Sequence, residues 1–434
     1  MRFRYLFNSV RKWIVNLPVG GVWGKTQSAE VQRNLRWFWF DGLFVSAHDN
    51  IYLNYISLYV LVLGATEVQV GLMSSLSNLA AALLLLPGAF IAERFVHKKK
   101  AVMIFIGGLS RFSILLLVFV PIFFKGASLV WAAILFSVLR DSFANLGYPA
   151  WMAVTNEIVP IEGRGRFFGS RNFIMSIAGI LITLLIGKLI THFTGQLGYQ
   201  IALGIAFVMG ASSAFSYAHL QPLPSPAQAD GERRLSLRRL FGDLKLRPQF
   251  LLLVLTAAIW NFAINVSGPF FNVHMLQELH FTASQIGLLN VVVALSALLV
   301  QNKLGSLVDR IGARKLQLLS MLVIPLLPLG WIFATKVWHI ALLNIFNGFF
   351  WGAYNLASFN LLLEFMPSNK VPLFSAVYQV LVALSLSLGA LAGSGVVARW
   401  GFTGVLAVSV VIRWLAGMLF ARLVPGKTAA EPAG

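Results

Sequence analysis

Long apolar stretches alternate with short polar ones along the whole chain. Twelve stretches recur, at roughly 37–63, 67–92, 100–124, 128–158, 166–191, 197–219, 250–277, 283–304, 314–334, 337–366, 370–398 and 402–423. At 1.5 Å of rise per residue, a helical run of about 18 or more crosses a ~30 Å hydrocarbon core. The pattern predicts an all-α membrane protein of twelve spanning helices. The polar gaps carry a second pattern. Residues 1–36 place Phe3, Leu6, Phe7, Val10, Trp13 and Ile14 at helical spacing among basic residues. That predicts an amphipathic segment on the cytoplasmic face, and the scattered basic residues argue against a cleavable signal. The longest gap, 221–249, is a polar stretch followed by one basic stripe with Leu237, Leu240, Phe241 and Leu244 on one side. It reads as a cytoplasmic linker between a six-helix bundle at 37–220 and another at 250–424, with a tail at 425–434.

The two halves repeat. GSLVDRIGARK at 305–315 has a weaker copy, AFIAERFVHKK, 216 positions earlier. Glu93 aligns with Asp309, Arg94 with Arg310, and Lys98 with Arg314. Upstream, Thr66, Gln69 and Gly71 align with Thr282, Gln285 and Gly287. Downstream the offset becomes 207, where Trp131, Glu157 and Pro160 match Trp338, Glu364 and Pro367. A charged loop repeated between membrane segments indicates an internally duplicated bundle, as in secondary transporters.

Charge then sets orientation. Only 11% of residues are charged, against about 25% in a soluble domain. The net charge of +19 is asymmetric. With the N-terminus cytoplasmic, twenty-six of the 34 Lys and Arg fall on inner tails and loops. Lys125, Lys188, Lys336 and Arg399 fall outside, and Arg111, Arg140, Lys303 and Arg413 are embedded. This positive-inside bias places both termini in the cytoplasm. It also accounts for the charge through anionic lipid on that side, without a nucleic-acid partner.

The loop at 305–315, following the eighth apolar segment, closely resembles the loop signature of the major facilitator superfamily. Arg140, Ala144 and Gly147 in helix 4 echo a second family signature, with Ala for the first Gly. PIEGRGRFFGSRN, 160–172, is similar to the family's loop before helix 5. The first loop copy departs, with Ala89 for Gly, Glu93 for Asp and Val96 for Gly. Helix 5 also lacks the proline of the Gly-Pro motif common in the family's drug antiporters. The resemblance covers about 36–424 and implies two six-helix bundles with helices 1, 4, 7 and 10 lining a central cavity.

Those four helices hold the strongest embedded polar residues. Asp49 lies twelve residues past Trp37, ~18 Å from the inner side. Arg140 lies twelve residues past Ser128, ~18 Å from the outer side. In a ~30 Å core their depths agree within ~6 Å. An unpaired charge there costs about 2.5–3.5 kcal/mol, so a pair is expected, either as a proton switch or as a static brace. His48 and Asp141 are the adjoining proton-coupling candidates. His48 reads more readily as a hydrogen-bonded core residue, and Asp141 points ~100° from Arg140 around the helix. Asp41, nearer the interface, reads as a packing or latch acid.

Candidate contacts for a small organic solute, amphipathic or sugar-like, are Asn54 and Asn145 in the first half. In the second they are Trp260, Asn261, Asn265, Phe271, Asn347, Trp351, Tyr354 and Asn355. The asparagines read equally as interhelical glue. Pro269 after Gly268 predicts a break in helix 7, and Pro149 a second in helix 4. The cytoplasmic gate is expected from Glu93, Arg94, Glu157, Arg164, Arg166, Gly305, Asp309, Arg310, Arg314 and Glu364. Its expected pairs are Asp309 with Arg164 and Arg166, Arg310 with Glu364, and Arg94 with Glu157. Gly305 is expected where helix ends approach closely. Arg111 and Arg413 lie in helices 3 and 12, which the resemblance makes peripheral, and each is expected to pair with a neighbouring helix or to reach a water pocket.

No metal cluster, nucleophile elbow or phosphate loop occurs, so neither an enzyme nor a cofactor is expected. The expected function is proton-coupled secondary transport by a monomer in a bacterial plasma membrane. A facilitator, a sodium-linked carrier and a receptor without net flux are the alternatives.

Overall fold

The structure is a computed structural model and describes residues 16–95, 98–193, 195–221, 247–366 and 371–425. The amphipathic stripes expected at 3–14 and 237–244, Pro367 and the tail past 425 lie outside the described residues. Every regular element among the described residues is helical. The first half contains α1 (Ala29–Val62), α2 (Glu67–Arg94), α3 (Lys99–Phe123), α4 (Ala127–Ile158), α5 (Arg164–His192) and α6 (Gln196–Ala218). The second begins with α7 (Pro248–Ser267), then α8 (Ala283–Ile311), α9 (Ala313–Val323, resumed as Leu326–Ile332) and α10 (Val337–Phe365). The last helix, Val371–Leu423, is divided at Gly401, whose φ of 62° no L side chain adopts freely, into α11 and α12.

Nine helices among the described residues are long and apolar enough to cross a membrane. The two long helices outside that set, Ala29–Val62 and Val337–Phe365, carry the polar residues singled out in helices 1 and 10.

Local chemistry explains the element ends. Thr66 N–H donates to Gln69 Oε1 at 2.9 Å, and Gln69 N–H donates back to Thr66 Oγ1 at 3.3 Å. Thr282 and Gln285 repeat both distances. The duplicated Thr-x-x-Gln is thus a capping box that starts α2 and α8 alike. α7 stops at Gly268–Pro269 and continues as Phe270–Val273 and a π turn at His274–Glu278. Proline has no N–H for the helix ladder, so the expected break is there. Pro149 does not break α4, which runs unbroken from Ala127 to Ile158. One missing N–H is absorbed where no turn accompanies it. In α9 the interruption at Pro325 does come with a turn.

The chain divides into two compact units, 1–63 with 83–230, and 64–82 with 231–434. In the first, α1 packs on α5 and α6, and α3 on α4 and α6. Its core gathers Leu35, Phe38, Val154, Ile158, Phe167 and Tyr217. In the second, α7 packs on the helix 371–423 and α8 on α10. Leu253, Trp260, Met321, Ile324, Tyr354 and Phe420 form its core.

Candidate functional site

In the first unit the embedded charges balance. Arg140 on α4 is ion-paired to Asp49 on α1, and its other terminal nitrogen meets Asp141 at 3.0 Å. Its guanidinium lies 4.2 Å from the centre of the Tyr52 ring. Asp141 was expected to turn away. The arginine side chain is long enough to fold back along α4, so one cation serves both acids. The pair is lopsided, with 9% of the Arg140 side chain exposed against 41% of Asp49. His48 is buried, with Nδ1 on the Ala206 carbonyl at 2.8 Å and Nε2 3.9 Å from Asp49.

A second ion pair lies toward the N-terminal end of α1. Arg171 on α5 donates to Asp41 Oδ2 at 2.9 Å and to the Phe38 carbonyl at 3.1 Å. Both partners are nearly sealed, at 4% and 5% side-chain exposure. Gly42 makes room, since a Cβ there would lie 2.8 Å from Arg171 Nε. Ser213 donates to Asp41 Oδ1 at 2.7 Å and accepts from Arg111 at 2.9 Å. Arg111 therefore pairs with the neighbouring α6, as expected, and through Ser213 joins a buried network. Arg171 was counted among the inner-loop charges. The signal that points to it is Asp41, a buried acid that needs a cation.

The gate residues are placed differently from expectation. Glu157 pairs with Lys99 at 2.7 Å, not with Arg94, which is exposed together with Glu93. Lys99 begins α3, whose neighbour is α4, so its ammonium reaches Glu157 with little chain to order. Arg164 caps carbonyls at the end of α4, Val159 and Asn156, at 3.1 and 2.9 Å. Arg166 is exposed. Arg314 donates to the Val424 and Ala421 carbonyls, both at 2.7 Å, tying α9 to the end of α12. Asp309, Arg310 and Glu364 are exposed, and among the described residues Arg310 and Glu364 form no ion pair. Hydrated charges gain little by pairing. A Cβ on Gly305 would meet nothing within 4 Å, whereas one on Gly88 would strike the Leu146 carbonyl. The close approach expected at Gly305 thus occurs at Gly88, between α2 and α4.

The asparagines divide between glue and cavity. Asn54 donates to the Asn50 carbonyl and to Thr183 Oγ1, and Asn145 to the Asp141 carbonyl. In the second unit Asn265 bonds the Leu386 carbonyl at 2.7 Å, and Asn261 the Ala257 carbonyl at 2.8 Å. Trp260 is 0% exposed and packs on Tyr354, ring centres 5.4 Å apart. Both are core residues of the bundle rather than cavity walls, because large aromatic rings fill the space where α7, α9 and α10 meet. Asn355 is exposed. Phe271, Asn347 and Trp351 line a cavity of about 210 Å³ within this unit, together with residues of α8, α9 and α12.

Membrane-length helices in two repeats, with compensated charges at mid-helix, define a multi-pass membrane transporter in class. The model of the Major Facilitator Superfamily matches residues 39–271 and 261–434, and the chain belongs to that family. Its members are transporters, not enzymes. A relative in Lactococcus lactis subsp. lactis, named Multi-drug resistance efflux pump PmrA homolog, is 23% identical over 382 residues, 86% of this chain and 90% of the relative. Among solved structures, a variant of the nucleoside transporter NupG superposes with a TM-score of 0.72 at 11% identity, covering 90% of this chain and 99% of that one. A D-xylose-proton symporter gives 0.67 at 14% identity, covering 89% and 97%.

Proposed function

We propose that the chain is a proton-coupled secondary transporter of a small organic solute, working by alternating access in a bacterial plasma membrane with both termini cytoplasmic. One observation carries the coupling. The most exposed acid of the embedded network, Asp49, is paired with the buried Arg140. A proton arriving from water reaches Asp49 first. Neutralising it leaves Arg140 to Asp141 alone and loosens the tie between α1 and α4. Such a local charge change biases a two-state helix packing. The orientation rests on the twenty-six inner basic residues.

The test is Asp49→Asn, which keeps shape and a hydrogen bond but cannot titrate. In membrane vesicles loaded with candidate solutes, this variant is expected to lose accumulation driven by an imposed pH gradient while retaining solute exchange. Accumulation at the wild-type level would reduce the pair to a brace. Solute binding without flux in the wild type would favour a receptor.

The repeated charged loops are proposed to form the cytoplasmic gate, with Asp309 as its principal acid. Asp309→Lys is expected to cut solute uptake at least tenfold with an unchanged melting temperature, because the residue is exposed. Wild-type uptake in this variant would make these charges purely topological.

A further inference from the structure

In the first unit, Arg111, Arg140 and Arg171 are all tied to aspartates directly or through Ser213. Arg413 on α12 has no such arrangement. It is 4% exposed, and among the described residues no ion pair includes it. One terminal nitrogen is held by Ser267 Oγ at 3.0 Å and the Ile264 carbonyl at 3.4 Å. Ser267 is itself positioned by Ser409, at 3.1 Å. The Nε–H of Arg413 has no partner. A guanidinium carries five N–H donors, so most of its capacity is unused.

The side chain borders the 210 Å³ cavity, as do Asn272, Asn347, Trp331 and Trp351. Among the described residues, neither Asn272 nor Asn347 spends its side-chain amide on the protein. A fixed cation with free donors and free amides, walled by aromatic rings, is a receptor for negative charge. The cavity has room for an anion of a few heavy atoms.

We infer that the second unit holds an anion site in which Arg413, with Asn272 and Asn347, binds a small monovalent anion, either a halide or a short carboxylate. The site lies wholly within the second unit and does not depend on the proton-coupling reading. Arg413 supplies the charge, and the serine pair keeps its fork turned toward the cavity. The amides complete the shell of donors that water otherwise provides.

The experiment uses the purified full-length protein in nanodiscs at constant ionic strength. Sodium lactobionate, a bulky disaccharide acid, is replaced stepwise by sodium chloride or, separately, by sodium acetate. The melting temperature is followed. The wild type is expected to rise saturably with at least one of the two. A response to chloride alone assigns the site to inorganic anions, and one to acetate alone to the carboxylate of an organic ligand. Arg413→Gln is expected to abolish the rise. Asn347→Leu and Asn272→Leu, which retain the cation, are expected to raise the midpoint concentration about tenfold. These two decide the matter if Arg413→Gln does not fold. A wild type indifferent to both anions, or a midpoint unmoved in both asparagine variants, overturns the site.

Discussion

Arg140→Gln is expected to abolish solute uptake and to lower stability by about 3 kcal/mol, the lower end of the cost of breaking a buried ion pair. The substitution strands two acids at once, since Arg140 serves both Asp49 and Asp141. The cost stays at the lower end because Asp49 retains 41% exposure and can rehydrate. Asp49→Asn leaves Arg140 with Asp141 at 3.0 Å and the Tyr52 ring at 4.2 Å, so its melting temperature is expected to stay near the wild type. Thermal melts and vesicle uptake of both single variants and of Asp49→Asn/Arg140→Gln complete a cycle. Residues in direct contact couple by about 0.5–3 kcal/mol, and the double variant is expected to melt above Arg140→Gln. Wild-type melting and uptake in Arg140→Gln would show that the guanidinium neither braces nor couples.

Arg171→Met is expected to be the more damaging change to stability, by about 3–5 kcal/mol. It leaves Asp41 sealed in the bundle with Ser213 as its remaining direct partner. Replacing both members is a different case. Apolar residues of similar volume often substitute for a buried pair at little cost, so Asp41→Leu/Arg171→Met is expected to regain most of the loss. If the two pairs have separate roles, the double variant still accumulates solute when a pH gradient is imposed. Melting temperature reads the first effect and vesicle uptake the second. An Arg171→Met protein that melts like the wild type would show that the pair contributes nothing to the fold.

The contrast between these pairs was half legible in the chain. The arithmetic of helix rise brought Asp49 and Arg140 to one depth, and the tertiary structure joins them. Arg171 escaped because it lies two turns inside α5, in a run of basic residues that resembles an inner loop. Its partner Asp41 is 130 positions away, and no local spacing links them. Glu157 shows the same limit at short range. Arg94 and Lys99 flank one loop, and only the docking of α3 on α4 selects Lys99.

Helices, their lengths, the duplication and the break at Gly268–Pro269 could be read from residue order because their causes are local. Apolar length is measured along one segment, a capping box spans four residues, and a missing N–H acts within one turn. The site was different. Whether Trp260 faces a cavity or the core, and whether Arg413 only pairs with a neighbouring helix or also borders the same cavity as Asn347, depends on the rotation of each helix about its axis. A rotation of one residue is ~100°, enough to exchange one neighbour for another. Packing sets that angle. In a chain whose helices are apolar on nearly every face, periodicity leaves it undefined, and only the assembled bundle decides which polar groups meet.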